Sequence, residues 1–482
     1  MHLPLLPLEV FRPHWSESPD TMPHAVIDHG QVLSFCELAR QAGIRHGMRR
    51  GGVTALAPGA KLHERDAGRE RGAMDGVALT LLQYTPEVAM IDAASLVLDV
   101  SASLSAFGGR LSLSRRVRTS VLQMGFSTRM GMAPTAQAAW LLANAAQLKL
   151  RRSLRQASMV RRLDALPALL LPAARPYAEW LEGIGCATLG GLRRLPRAGL
   201  QRRCGGALLE QLDRAYGEAP ELYDWVQAAP QFDGRLELPE RVEQAEAVLF
   251  AARRLVLQMV GWLNARQLAV SRFVLLLEHE RGRQAVAPTA LEITLAEAAW
   301  REDHLLRLLK ERLGRMELVG PVIAIRLEAA RLEPMVPPTE SLFPEPGGSI
   351  ADYHRLLELL SARLGAENVL MPAPLPDYRP EIGNRWLPAA SCASQPLTPP
   401  DAERPFWLLE KPLPLMMRDH RPFYGSPLKL LTPPERIETG WWDPHCAVRD
   451  YFIAQGADQA CYWIYRERAG EDALWFLHGL FA

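Results

Sequence analysis

No uncharged apolar run in the sequence reaches the roughly 18 residues that a membrane-spanning helix needs. Nor does the chain open with a basic segment followed by an apolar block. Neither a membrane span nor a secretory leader is expected, so the expected address is cytoplasmic, without a membrane partner. The six cysteines, Cys36, Cys186, Cys204, Cys392, Cys446 and Cys461, form no Cys-x-x-Cys pair. That argues against zinc ribbons and a disulfide scaffold and leaves plain reduced thiols. The G-x-x-x-x-G-K-[ST] phosphate loop is missing, which argues against ATP hydrolysis of that type. His445 and Cys446 are adjacent but have no evident third group, and neighbouring residues seldom converge on one atom. No metal site, cofactor or catalytic residue is expected from these features.

Lysine is scarce too, with five Lys against 50 Arg. Arginine's planar fork suits phosphate, so its bias matters where it is concentrated. Residues 100–163 hold no Asp or Glu but ten Arg and one Lys, a local balance of +11 in a chain of net charge +1. Such a block is either a solvated face or a nucleic-acid footprint.

A chain of 482 residues exceeds one ordinary core and reads as an α+β multidomain protein. Residues 1–165 alternate short apolar runs ("HAVID", "VAMID", "SLVLDV") with helix-like stretches such as "AMDGVALTLLQY", the pattern of a sheet covered by helices. Residues 166–230 read as short helices punctuated by Gly and Pro. Residues 231–335 give a long amphipathic helix, two strands, a second helix and a third strand, which predicts two helices on one small sheet. Residues 336–348 lie in the Pro- and Gly-rich stretch "PMVPPTESLFPEPGG", an expected linker carrying Leu342 and Phe343. Residues 349–482 begin with a helix near 350–365 and become aromatic, with strand-like alternation toward the end.

The segment "GIGCATLGGLRRLPRAGLQRRCGG" (183–206) carries Gly183 and Gly185 where a turn enters a helix. It also carries Arg193, Arg194, Arg197, Arg202 and Arg203 with no acid. A helix-hairpin-helix grips DNA in this way, aiming backbone N–H groups and a positive helix N-terminus at a phosphate without reading sequence. An ordinary αα corner has the same outline.

Several ordered motifs carry a family resemblance. "ELARQAGIRHGM" (37–48), "YTPEVAMIDAASLVLDVSASLSAFGG" (84–109) and "GMAPTAQAAWLLA" (131–143) resemble segments of Y-family translesion DNA polymerases. The opening "HLPLLPLEVF" and the late "RDYF", "WIYR" and "WFLHGLF" look like the polymerase-like subunits of bacterial mutasomes within that group. The resemblance implies a palm and fingers over 1–165, a helical thumb over 166–230, a little finger over 231–335 and a C-terminal partner-interaction extension.

Polymerase chemistry needs carboxylates that hold two magnesium ions about 4 Å apart. Asp92 aligns with one acid of the family's adjacent pair, but Ala93 follows it. Read as one strand, positions 92 and 99 face opposite sides, so Asp99 is assigned to the framework. Aligning Glu9 with the family's "VE" places His2 at one acid position and pushes the catalytic Asp ahead of Met1. A catalytically silent palm is the expectation, with an active polymerase drawing on an upstream acid as the rival. A helix-hairpin-helix repair enzyme is a second rival, for which no catalytic Asp or Lys stands just after the hairpin.

Two further readings come with the resemblance. Bacterial sliding clamps bind short extended peptides ending in paired apolar residues, and Ser341, Leu342 and Phe343 of "TESLF" match the last three positions without the leading Gln. The alternative is a staple on the little finger. The aromatic tail, with Trp441, Trp442, Tyr451, Trp463, Trp475 and Phe481, is either a small core or a partner surface. The implied function is a non-catalytic adaptor in SOS-induced translesion synthesis and mutagenesis. Its implied partners are primer-template DNA, the sliding clamp, an error-prone C-family DNA polymerase and a RecA-like accessory protein.

Overall fold

The computed structural model describes residues 1–13, 22–280, 287–336, 350–389, 403–442, 446–468 and 474–481. It separates into two compact units, Met1–His354 and Arg355–Ala482. The expected linker peptide Ser341, Leu342 and Phe343 lies outside the described residues.

The first unit opens with α1 (Leu6–Glu9), β1 (His24–Asp28), β2 (Gln31–Phe35), α2 (Glu37–Gln41), α3 (Arg50–Leu56), β3 (Lys61–Glu64) and α4 (Ala67–Leu81). Then come β4 (Val88–Asp92), β5 (Ser95–Leu98), α5 (Arg110–Gln123), α6 (Ala136–Asn144) and α7 (Gln156–Asp164). β2, β1 and β3 form a small sheet whose core is Ala25, Val26, Ile27, Val32 and Val53. α4 starts where Asp66 accepts the Arg69 amide at 2.9 Å, and it buries Ala73, Met74, Val77, Ala78 and Leu81 at helical spacing. That stripe packs with Leu113 and Val117 of α5 against Met1, Leu3, Val88 and Leu96.

The stretch "MIDAASLVLDV", expected as one strand, is the hairpin β4–β5, which turns at Ala93 and Ala94 with Asp92 opposite Ser95. The alternation argument for Asp92 and Asp99 therefore fails, because Asp92 closes one strand and Asp99 follows the other. Asp92 shapes the turn itself: its Oδ1 accepts the Ala94 amide at 2.8 Å.

Residues 166–230 contain α8 (Ala178–Gly183), α9 (Leu189–Arg194), α10 (Arg197–Cys204) and α11 (Gly206–Tyr216), preceded by 3-10 turns. Leu181, Leu189, Leu192, Leu200, Leu208 and Leu212 fill one core with α6 and α7. Residues 231–335 form a four-stranded antiparallel sheet in the order β6 (Asp233–Val242), β9 (Val322–Pro334), β7 (Leu268–His279), β8 (Thr289–Ala299). Its helices are α12 (Ala245–Arg266) and α13 (Glu302–Leu313). The sequence pattern predicts three strands here, and β6 is the fourth. Its charged, Pro-containing run "DGRLELPERV" hides it, and its register against β9 breaks between Glu237 and Val242 around Pro239. α12 is apolar almost all round because it also meets α4, where Gly261 comes so near that a Cβ would stand 2.0 Å from the Leu79 carbonyl O.

Helix α14 (Ile350–Leu364) leads into the second unit, which has a hairpin, β10 (Leu370–Pro374) with β11 (Asn384–Pro388). Its main sheet holds β12 (Trp407–Arg418), β13 (Arg421–Tyr424), β14 (Ser426–Pro427), β15 (Lys429–Leu430), β16 (Glu435–Thr439), β17 (Ala447–Gln455), β18 (Cys461–Glu467) and β19 (Trp475–Leu480), in the order β14-β13-β12-β19-β18-β17-β15 with β16 also on β17. The tail's aromatics divide between the two readings. Tyr451 and Trp463 are buried and stacked at 4.1 Å, whereas Trp441 and Trp442 are 81% and 62% exposed.

Candidate nucleic-acid interface

The hairpin at 183–185 begins where α8 runs out. Gly185 takes a φ of +68°, a left-handed conformation that favours glycine, and neither Gly183 nor Gly185 has a neighbour where a Cβ would stand. The tip is bare backbone with Ile184 exposed. Thr188 caps α9 by accepting the Gly191 amide at 3.1 Å, and Gly190 lets α9 approach Asp164, whose Cβ would be 2.8 Å from an added methyl. The turn's amides do not behave as expected. Ile184, Gly185 and Cys186 donate to Trp180, Glu182 and Leu181, and Ala187 donates to Gly185, because the turn doubles as the C-cap of α8.

The five arginines have different surroundings. Arg193 donates to Glu218 at 2.8 Å and lies over the Tyr216 ring, and Arg197 makes a two-point contact with Asp213 at 2.7 and 2.6 Å. The absence of acids within 183–206 is thus made up by acids of α11 and beyond. Burial, with Asp164 accepting the Tyr216 hydroxyl at 2.6 Å, raises the Tyr216 pKa and keeps that ring neutral under the Arg193 guanidinium. Among the described residues no carboxylate pairs with Arg194, Arg202 or Arg203. These three are exposed.

At the start of the first unit, residues 1–3 lie beside β5: the Met1 amine donates to the Leu96 carbonyl at 2.7 Å and the Leu3 amide to Ala94 at 2.8 Å. His2 exchanges backbone bonds with Arg129, at 2.9 and 2.8 Å. Since Met1, Leu3 and Leu96 join the core under α4 and α5, His2 and Ser95 face the other way, with His2 Nδ1 3.0 Å from Ser95 Oγ. Burial pushes His2 below its usual pKa against the pull of Asp92, and Arg129 adds to the effect.

The two magnesium ions of a working palm of the resembled type do not fit these donors. Asp92 Oδ2 accepts Trp140 Nε1–H at 2.7 Å while Oδ1 holds the turn, and the next residue is Ala93. Asp99 Oδ1 accepts the Ser101 amide at 2.9 Å, and the buried Glu9 accepts the amide and hydroxyl of Ser127 at 2.9 and 2.5 Å. Among the described residues no group of three His, Cys, Asp or Glu could hold a metal.

Beside the hairpin lies a cavity of about 340 Å³ lined in part by Asp99, Met132, Trp140, Glu221 and Tyr223. The N-terminus of α6 opens there, a feature that ordinarily suits a phosphate. It is already taken: Glu221 accepts the Ala136 and Gln137 amides at 2.7 Å each. The positive groups of the acid-free block are instead side chains. Arg151 donates to the Ala145 and Ala146 carbonyls; burial first, then the neighbouring charges of Arg129 and Arg118, lower its pKa. No described carboxylate pairs with these three arginines. Sequence reasoning saw the acid-free block but not this grouping, which brings three separated stretches together.

The family model described as "IMS: impB/mucB/samB family" matches residues 15–144. Protein ImuB of Caulobacter vibrioides, strain NA1000 / CB15N, is 26% identical over 471 residues, spanning 91% of this chain and 100% of that protein. Protein ImuB of strain ATCC 19089 / CIP 103742 / CB 15 gives the same figures. Among solved structures, a Dbh ternary complex with partially disordered substrates is 17% identical with a TM-score of 0.39, covering 67% of this chain and 95% of that one. An insertion ternary complex of Dbh DNA polymerase is 16% identical with a TM-score of 0.38, covering 70% and 98%.

Proposed function

We propose that this ImuB-like chain, with its Y-family polymerase-like domain, is a non-catalytic adaptor in induced translesion DNA synthesis. The observation that carries the reading is the engagement of Asp92. Its two oxygens are spent on Trp140 and on the hairpin turn, Ala93 follows it, and His2 lies beside Ser95, the residue opposite Asp92. One carboxylate so held does not organise two hard cations.

The chain's own groups support contact with nucleic acid. Arg194, Arg202 and Arg203 are exposed in the helical segment that also holds the bare turn at Gly183 and Gly185, and Arg118, Arg129 and Arg151 add positive charge from the acid-free block. Arg193 and Arg197 belong to the same segment, held by Glu218 and Asp213. Binding through phosphates would be sequence-independent and salt-sensitive. Ser341, Leu342 and Phe343 are the proposed sliding-clamp peptide. The C-terminal unit is the proposed docking region for an error-prone C-family DNA polymerase and a RecA-like accessory protein, with Trp441 and Trp442 among its exposed aromatics. The gain at a lesion would be effective concentration of partners, not bond chemistry.

Primer extension with magnesium by the purified chain is the test. The adaptor reading expects no nucleotide addition; addition that Asp92→Ala abolishes would establish an active polymerase instead. For the clamp, Leu342→Ala/Phe343→Ala is expected to lose capture on immobilised clamp, and full retention would remove the peptide from the scheme.

A further inference from the structure

The first helix of the hairpin motif and the end of α10 border a shallow, open recess of about 660 Å³. It is lined by Pro176, Tyr177, Glu179, Trp180, Arg202 and Arg203. The Arg203 guanidinium lies over the Trp180 indole, 5.1 Å from its centroid. Arg202 is steadied by its Nε–H, which donates to the Ala198 carbonyl at 3.2 Å, and its terminal N–H groups are left for another acceptor. No described carboxylate pairs with either arginine, and Glu179 at the rim is the one acid in the lining.

This combination has a particular chemistry. Two guanidinium forks lining one recess suit the oxygens of a phosphate. A guanidinium over an indole joins a planar cation to an aromatic ring, the kind of surface on which an unstacked base settles. Position matters as well: Trp180 stands one helical turn ahead of Gly183, about 4.5 Å along the axis of α8. A strand crossing the bare turn at Gly183 and Gly185 therefore passes the recess.

We infer that the recess takes one nucleotide of a single strand, its phosphate on the Arg202 and Arg203 forks and its base on the Arg203–Trp180 stack. This rests on the nucleic-acid reading above and adds to it a contact with one unpaired base beside the duplex, made by Arg203 and Trp180. Glu179 opposes the phosphate and limits the affinity.

The test is fluorescence anisotropy with a labelled blunt duplex and the same duplex carrying a short single-stranded overhang. The full chain is expected to bind the overhang form at least about tenfold more tightly, the scale of one stacked base. Arg203→Lys keeps the charge and removes the planar platform, so the ratio of the two affinities is expected to fall toward one. Glu179→Gln is expected to raise it. A ratio unchanged by Arg203→Lys would overturn the base platform and leave a plain phosphate contact. Equal binding of both duplexes by the unmodified chain would overturn the inference while keeping the nucleic-acid reading. Failure to bind either DNA would bring down that reading and this one with it.

Discussion

Trp140 and Asp92 are joined by one hydrogen bond, from the indole Nε1–H to the carboxylate at 2.7 Å. Trp140→Phe keeps the ring and removes the Nε1–H donor, so unfolding in urea is expected to show a loss of about 1 kcal/mol. In a double-mutant cycle with Asp92→Ala the losses should not add, since both substitutions remove the same contact. His478 makes a second residue-scale case. Its ring is buried, its Nδ1 is 2.8 Å from the Tyr451 hydroxyl, and its Nε2 has no partner among the described residues. Burial pushes its pKa down to about 4 from 6.5, against the pull of Glu381 and with help from Arg449. The unfolded chain therefore binds this proton more readily than the folded one, and stability is lost as pH falls from 6.5 toward 4. Urea midpoints followed by tryptophan fluorescence at pH 7 and pH 5 are expected to show the drop, and His478→Phe should reduce it.

At the scale of elements, the crossing of α4 and α12 depends on two small residues. Gly261 faces the Leu79 carbonyl, and Gly76 faces the Gln258 side chain. Gly261→Ala forces the helices apart and is expected to cost about 1–3 kcal/mol or more, read as a lower urea midpoint. Gly199, inside α10 with open space where a Cβ would stand, is the contrast. Gly199→Ala is expected to stabilise by about 0.5–1 kcal/mol, because alanine loses less conformational freedom in a helix. "RDYF", "WIYR" and "WFLHGLF" occupy β17, β18 and β19, where Asp450, 1% exposed, lies between Arg436 at 2.9 Å and Arg466 at 3.4 Å. Much of that aromatic block is thus the core of its own sheet.

For the whole molecule, a near-neutral net charge conceals an acid-free stretch and a set of exposed arginines in the helical segment 166–230. If these bind phosphates, affinity for duplex DNA should fall steeply with salt. Replacing Arg194, Arg202 and Arg203 together by Gln is expected to weaken binding at all sequences and to lower the slope of log affinity against log salt by up to about 3. Titrations at several salt concentrations measure this directly. An unchanged slope would move the contact surface to Arg118, Arg129 and Arg151.

Much of this protein was determined by sequence alone, because the relevant physics is local. Hydrophobic periodicity gave "HAVID" as a strand and the runs of α4 and α12 as helices, and Gly185 marked a turn that needs a positive φ. That an alanine, not an acid, follows Asp92 was equally plain. Tertiary structure decided the rest, because those facts join residues far apart in the chain. It turned "MIDAASLVLDV" into a hairpin at two alanines that carry no turn chemistry of their own. It brought Trp140 to Asp92 and supplied Glu218 and Asp213 to arginines whose own segment has no acid. It also set Glu221 on α6 and stacked Arg203 on Trp180, contacts that exist only once the helices have packed.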